Sequence, residues 1–316
     1  MDSSLYKNKQ IYLVELLHQL KKCNYSHTSI TPTSHEIINS RPENNVATNL
    51  NGIFGWSRPF IPSTAGNKIF DLMMAADILK NEGKYWLSKL RVSSINEHLL
   101  LHSAYPTDNS NSVFFGPDTY RFINAIQHFL EQNNKPIFRA VDIGTGTGAG
   151  AIKLAKSLQN SQVIAVDIND YALELASINV ESENIHNINL INSDLLKSVE
   201  GTFDLIVANP PYLVDSSERA YRHGGSSLGA ELSLSIVDTA IERLSVGGTL
   251  LLYTGVAIVN GQDSFEKVVS SKLKSAGFNY QYHEIDPDVF GEELLRGPYA
   301  NTDRISVVVL TVHKHN

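Results

Sequence analysis

Residues 141–150 read Val141-Asp142-Ile143-Gly144-Thr145-Gly146-Thr147-Gly148-Ala149-Gly150, and the class of fold turns on them. An apolar run, IFRAVDI (137–143), enters this stretch, and a helix-spaced run, Ala149–Leu158, leaves it. Glycines at a strand-to-helix turn let the backbone bend tightly and let a ligand lie against it with no Cβ between. Downstream, the strand-like runs VIAVDI (163–168), INLIN (188–192), FDLIVAN (203–209) and GTLLLYTG (248–255) alternate with helical spacing over Tyr171–Val180 and Ala230–Leu244. Such alternation predicts a doubly wound α/β sheet. A helix over Phe265–Ala276 stopped by Gly277 follows, and FNYQYHEI and RISVVVLTV close the domain as an antiparallel pair.

Ligands of open α/β sheets sit outside the carboxyl ends of the strands. Three acids fall at such ends: Asp142, Asp167 and Asp194. Gly144, Gly146 and Ala149 satisfy a dinucleotide spacing, and Asp167, 23 residues after Gly144, can take both ribose hydroxyls, so a nicotinamide cofactor fits this much. Asp142 turns the balance toward S-adenosylmethionine. A carboxylate just before the glycines suits an amino-acid ammonium and repels a pyrophosphate. Asp194, in Asn192-Ser193-Asp194-Leu195, can accept from the exocyclic amine of an adenine lying against Ile168 and Leu195. The candidate cofactor contacts are Asp142, Gly144, Thr145, Gly146, Gly148, Asp167, Ile168, Asp194, Leu195 and Asn209, with S-adenosylhomocysteine as the product.

Asn209-Pro210-Pro211-Tyr212 follows the fourth strand. Neither proline has an N–H, so the turn presents acceptors without competing donors. The Asn209 oxygen and a proline carbonyl can together accept both hydrogens of one NH2 group, and Tyr212 offers a flat face to a planar target. An amide or nucleobase nitrogen is a poor nucleophile because its lone pair is delocalised. Holding it in line with a sulfonium methyl supplies positioning and electrostatic help, with no strong base required. Asn209 and Tyr212 are therefore the candidate catalytic residues, and Pro210, Pro211 and Tyr212 the candidate substrate-binding ones.

The motifs VDIGTGTGAGA, VIAVDI, NSDLL and VANPPY, in this order and spacing, resemble the class I S-adenosylmethionine-dependent methyltransferases, specifically the small-domain group that holds the HemK-type protein glutamine N5-methyltransferases. The resemblance covers residues 113–255. It implies a Rossmann-like seven-stranded sheet, cofactor contacts from Gly144, Gly146, Asp167 and Asp194, and an acceptor nitrogen held by Asn209 and the Pro210–Tyr212 segment. It also implies a protein glutamine side chain as the acceptor. The residues alone leave open an exocyclic amine of RNA or DNA, and a small-molecule natural product. Phe114-Phe115-Gly116-Pro117-Asp118-Thr119-Tyr120-Arg121-Phe122 stands where that group carries a Pro-Arg-Pro-Glu-Thr-Glu-like stretch. It is expected to lie over the cofactor pocket, with Thr119 or Tyr120 near the methionine end, or else to be a linker in which Asp118 caps a helix. Arg222 and His223 read as a solvated loop.

Residues 1–110 are expected to form a small mixed α/β domain with a substrate-recognition or accessory role, and residues 111–316 the methyltransferase domain. Residues 9–22 have helical spacing, 24–67 read as irregular connections with one short helix, and 68–80 read as a helix stopped by Gly83. WLSKLRVSSINEHLLLHSAY predicts two strands joined near Ile95–Asn96. Of the 316 residues, 42% are hydrophobic and 19% charged, which excludes wholesale disorder. Before residue 111 there are 11 Lys and Arg against 9 Asp and Glu; after residue 110, 15 against 24. That acidic second part lowers the nucleic-acid option, because backbone binding needs clustered cations. No apolar run approaches bilayer length, so no membrane partner is expected. The polar start MDSSLYKNKQ and the single Cys23, which reads as an apolar filler, point to the cytoplasm. The histidines show no metal-ligand spacing, and no metal is predicted. Oligomeric state is not encoded in any motif.

Overall fold

The computed structural model describes residues 3–315 apart from 216–218, 220 and 296. The chain opens with α1 (Ser3–Lys22), α2 (Pro32–Asn39), the short α3 (Pro62–Ala65) and α4 (Asn67–Ala75). Two hairpins follow, β1 (Leu79–Glu82) with β2 (Tyr85–Ser88), and β3 (Leu90–Ile95) with β4 (His98–Ser103). The second is the expected strand pair, and its turn residue Asn96 takes a φ of 51°, which asparagine tolerates well.

The first hairpin corrects an expectation. The helix read over 68–80 ends at Ala75, and Gly83 sits in the turn between β1 and β2 instead of stopping a helix. Residues 24–67 also hold more structure than one helix, namely α2, α3 and a π-helical turn over Asn51–Gly55.

From there the helices and strands alternate. They are α5 (Pro117–Gln132), β5 (Arg139–Ile143), α6 (Ala149–Ser157), β6 (Gln162–Asp167), α7 (Asp170–Ser182), β7 (Ile188–Asn192) and β8 (Phe203–Ala208). The one-turn α8 (Ser226–Gly229), α9 (Glu231–Arg243), β9 (Leu244–Val259), β10 (Gln262–Asp263), α10 (Ser264–Ala276), β11 (Asn279–Asp286) and β12 (Arg304–His313) complete the order. The main sheet runs β11-β12-β9-β8-β5-β6-β7, with β10 paired off its edge to β9. Five strands are parallel; β12 runs against them beside β9, and β11 pairs antiparallel to β12 to complete the closing pair. β9 is longer than the predicted 248–255 because β12 pairs with it from Thr249 to Ile258.

Side chains of successive residues on a strand face opposite sides, and both sides of this sheet are buried. Ala140, Val163, Leu205 and Val207 face α5 and α6, while Val141, Ile143, Ile164 and Ile206 face α9 and α10. The first elements pack on the outside of α7: Leu13, Leu16, Leu17 and Leu20 share an apolar cluster with Ala172, Leu175 and Ile178. Buried Asn179 ties this contact, accepting from Leu101 N–H at 2.8 Å and donating to the Leu101 and Thr147 carbonyls at 3.1 and 2.9 Å. The chain adds β6 and β7 on one side of β5, and β8 and β9 on the other. The crevice between the carboxyl ends of β5 and β8 is where such sheets bind ligands.

Candidate active site

All the strand-end motifs line one cavity of about 380 Å³ over that crevice. Its floor is the glycine turn between β5 and α6. Gly144, Gly146 and Gly148 have φ of 69°, 54° and 82°, a left-handed run that side chains resist. At Gly144 and Gly146 a Cβ would meet nothing within 4 Å, so the turn shows bare backbone to the cavity.

Asp142 is 1% exposed. Its Oδ2 accepts from Thr145 Oγ1 at 2.7 Å and from the Ala151 N–H, in the first turn of α6, at 2.9 Å. Burial pushes this carboxyl up to about 7 against those two hydrogen bonds, and the nearby Asp167 charge pushes the same way. Gly150 belongs to the same arrangement, since a Cβ there would stand 2.6 Å from Asp142 Oδ2. Asp167, at the end of β6, accepts from Gly146 N–H through Oδ2 and from Asn169 N–H through Oδ1, both at 2.9 Å. Burial raises its pKa despite those bonds. Beside it Ile168 is 62% exposed, an apolar face turned outward at a strand end. Asp194 is exposed and pairs with Lys197, and Leu195 follows with a φ of 50°. All ten candidate cofactor contacts except Gly148 line the cavity; Gly148 lies at the N-terminus of α6, packed toward Ala176.

The Asn-Pro-Pro-Tyr turn rises from β8 on the far side of the glycines. Among the described residues, none donates a hydrogen bond to the Asn209 side chain or to the Pro210 carbonyl. Tyr212 lies differently from the open stacking face expected of it. It is 6% exposed, and its hydroxyl donates to Asp118 Oδ2 at 2.7 Å. Of the residues expected over the pocket, Phe114, Asp118, Thr119 and Phe122 line the cavity. Tyr120 turns away, its hydroxyl accepting from Ser29 N–H at 3.0 Å. Asp118 is the second residue inside α5 and so does not cap it.

Arg222 and His223 also depart from the solvated loop expected. Arg222 lines the cavity, half-buried, and pairs with Glu293, while His223 Nδ1 accepts from Asp215 N–H at 3.2 Å. Their neighbour Arg219 grips Asp215 and holds that carboxyl down to about 2. Among the side chains that sequence reasoning missed here are Arg219 and Phe290, while Asp118 was expected over the pocket without its bonds to distant tyrosines. Each reaches the cavity through contacts between distant segments, a signal that spacing does not carry. Among the described residues no group of His, Cys, Asp and Glu is placed to hold a metal ion, and no helix is long and apolar enough to cross a membrane.

The residues fit S-adenosylmethionine. The buried Asp142 carboxyl would suit an ammonium, Asp167 has lone pairs that ribose hydroxyls could use, and Ile168 and Leu195 would offer apolar faces to an adenine. Bare glycine backbone leaves room between them.

The family model described as methyltransferase small domain matches residues 124–270. A release factor glutamine methyltransferase of Lactococcus lactis is 33% identical over 189 residues, which cover 56% of this chain and 65% of that one. A candidate protein N5-glutamine methyltransferase of Methanocaldococcus jannaschii is 32% identical over 162 residues, covering 49% of this chain and 77% of that one. Against the first of the curated relatives it matches, the chain spans between 56% and 65% of their length. Among solved structures, Trm5b of Pyrococcus abyssi superposes with a TM-score of 0.50 at 16% identity, over 75% of this chain and 62% of that one, a likeness of fold. On this fold, with these strand-end motifs and these relatives, the chain belongs to the family of methyltransferases built on the methyltransferase small domain, beside its glutamine-modifying members.

Proposed function

We propose that the protein transfers a methyl group from S-adenosylmethionine to the side-chain amide nitrogen of a glutamine in a partner protein. The observation that carries this is the pair of acceptor oxygens at the end of β8, on the Asn209 side chain and the Pro210 carbonyl. Asn209 and the Pro210 carbonyl stand free of described donors in the same cavity as the glycine turn. An NH2 group donates two hydrogen bonds and asks for two acceptors, which is what the pair offers. Relatives named for a release factor and for ribosomal protein uL3 support a protein acceptor, and with it a place of work among the cytoplasmic translation proteins.

When bound, S-adenosylmethionine supplies an electrophilic sulfonium methyl. Asp142 would hold its ammonium, Asp167 its ribose and Asp194 its adenine amine, with Ile168 and Leu195 against the base. Asn209 and Pro210 then fix the orientation of the acceptor amide, and their lone pairs favour the nitrogen as it becomes pyramidal and positive. The proton lost afterwards is acidic and passes to water. Exclusion of bulk water by Phe122, Phe290 and Leu213, which line the cavity, strengthens each of these contacts.

Calorimetry with S-adenosylmethionine, followed by an assay on glutamine-containing peptides at rising salt, tests this function. Cofactor uptake and salt-tolerant methylation of the peptide are expected. Uptake of a pyridine nucleotide in its place, or a steep salt-dependent activity on RNA, would overturn it.

A further inference from the structure

An Asn-Pro-Pro-Tyr turn must hold an amide nitrogen still, yet its two prolines bring no N–H with which to tie the turn to the sheet. Its last residue makes the tie. The Tyr212 ring lies across Gly255 in the middle of β9, where a Cβ would come 2.1 Å from Tyr212 Cδ2, so the glycine is what makes room for it. Phe290 closes another side edge-on, with ring centroids 6.0 Å apart. The hydroxyl donates to Asp118 Oδ2 at 2.7 Å.

Asp118 itself is 9% exposed and fully engaged. Its Oδ1 accepts from Tyr253 Oη of β9 at 2.6 Å and from Arg121 Nη1 at 3.2 Å, and Arg121 Nη2 reaches Asp286 at the end of β11 at 2.7 Å. The turn, α5 and β9 therefore meet at one carboxylate, and Arg121 extends the link to β11. Hydrogen bonds to a buried carboxylate are short and strong, so they fix the position of the ring that donates to it.

We infer that Asp118 is a positioning residue for methyl transfer, acting through the Tyr212 hydroxyl to hold the Asn209–Tyr212 turn in register with the cofactor site. This rests on the turn being the acceptor site proposed above. Asp118 lines the cavity, and in this role it acts through the Tyr212 hydroxyl and not on the reacting atoms. Tyr212 serves as a strut seated in the Gly255 gap, with Tyr253 sharing the carboxylate.

The experiment compares Asp118→Asn, Tyr212→Phe and the double variant. Asp118→Asn keeps the shape and removes the charge, and Tyr212→Phe keeps the ring and removes the donor. Each single variant is expected to lower kcat on a glutamine peptide by about 10- to 100-fold, the scale of a small misplacement of reacting groups. S-adenosylmethionine affinity by calorimetry and peptide KM should stay unchanged. Because the two groups act as one unit, the double variant should be no worse than the poorer single.

Amide hydrogen exchange supplies the second readout. The reporters are Leu213 N–H, bonded to Arg222 O at 3.2 Å, and Gly224 N–H, bonded to Leu213 O at 2.7 Å. Both should exchange faster in either variant, and by the same factor, while β5 and β6 keep wild-type protection. Unchanged exchange at these amides, exchange rising across the whole sheet, or multiplicative losses in the double variant would each overturn the inference. A stacking role for Tyr212 predicts a Tyr212→Phe enzyme with wild-type kcat, which would also overturn it. Should the wild-type protein methylate no glutamine, the proposed function fails, and the exchange comparison still decides whether Asp118 anchors the turn.

Discussion

Asp167 Oδ2 accepts the Gly146 N–H at 2.9 Å, so the acid at the tip of β6 fastens the glycine turn as well as lining the cavity. Its other oxygen accepts from Asn169 at the entry to α7. One side chain thus shapes the cradle from two directions.

Asp167→Asn removes the charge from this joint and leaves an amide with a single acceptor oxygen. Hydrogen bonds to charged groups contribute about 1.5–3 kcal/mol each. S-adenosylmethionine affinity is expected to fall by at least about tenfold on loss of one such bond. Calorimetry checks it, and an unchanged dissociation constant would remove Asp167 from the site.

Asn209→Ala deletes one of the two free acceptors and nothing that supports the glycine turn. Turnover on a glutamine substrate should drop by about 100-fold or more, the scale seen when a group that stabilises developing charge is removed. Cofactor affinity should change little beside that fall in turnover. Equal losses in both quantities would contradict the role given to Asn209.

Burial raises Asp142 to about 7, far above its ordinary range near 3.9, so the empty folded protein keeps a proton there that the unfolded chain has lost. Between those two values the contribution of Asp142 to stability therefore declines as pH rises. An ammonium needs the ionised form. S-adenosylmethionine affinity is expected to weaken as pH falls below about 7, with a proton released on binding in that range. Titrations in buffers of different ionisation heat would detect the proton, and Asp142→Asn should abolish the pH dependence. Gly150→Ala, which would drive a Cβ against Asp142 Oδ2, is expected to weaken cofactor binding at every pH.

The first 110 residues carry a pH response of opposite sign. His27 and His35 are 7% and 1% exposed, and the Nε2 of each lacks a hydrogen-bond partner among the described residues. Burial, aided by the Arg91 charge, lowers both to about 4. They are neutral when folded, so their contribution is complete above about pH 6.5, the unfolded value, and is lost as pH falls toward 4. Trp56 packs against both rings, with centroids 5.4 Å away in each case, and reports on them by fluorescence. In an Asp142→Asn background, which removes the larger of the opposing contributions of Asp142 and Asp167, the fluorescence melting midpoint should drop between about pH 6.5 and 5. A flat midpoint there would contradict it.

The order of strands, the closing pair and the strand-end acids were legible because each rests on local chemistry: apolar runs of strand length, glycines at a turn, prolines without N–H. The helix expected at 68–80 shows the limit. Ile78 and Leu79 extend the apolar pattern of α4, yet Leu79 pairs with Ser88 in a hairpin that only tertiary packing selects. Asp118 shows it again. Beside Pro117 at a helix start it has the look of a cap, and its two tyrosine partners, Tyr212 and Tyr253, lie 94 and 135 residues further on. Tyr212 was placed in the correct turn, while the burial of its ring depends on the absence of a side chain at Gly255, a fact of the folded sheet alone.

Incubation of the protein with methyl-labelled S-adenosylmethionine and a cell extract, followed by fractionation and mass spectrometry of the labelled species, tests the central claim most directly. The account predicts label in protein, one methyl group per acceptor, located on a glutamine side-chain nitrogen and absent with Asn209→Ala. Label confined to nucleic acid or to small molecules would contradict it.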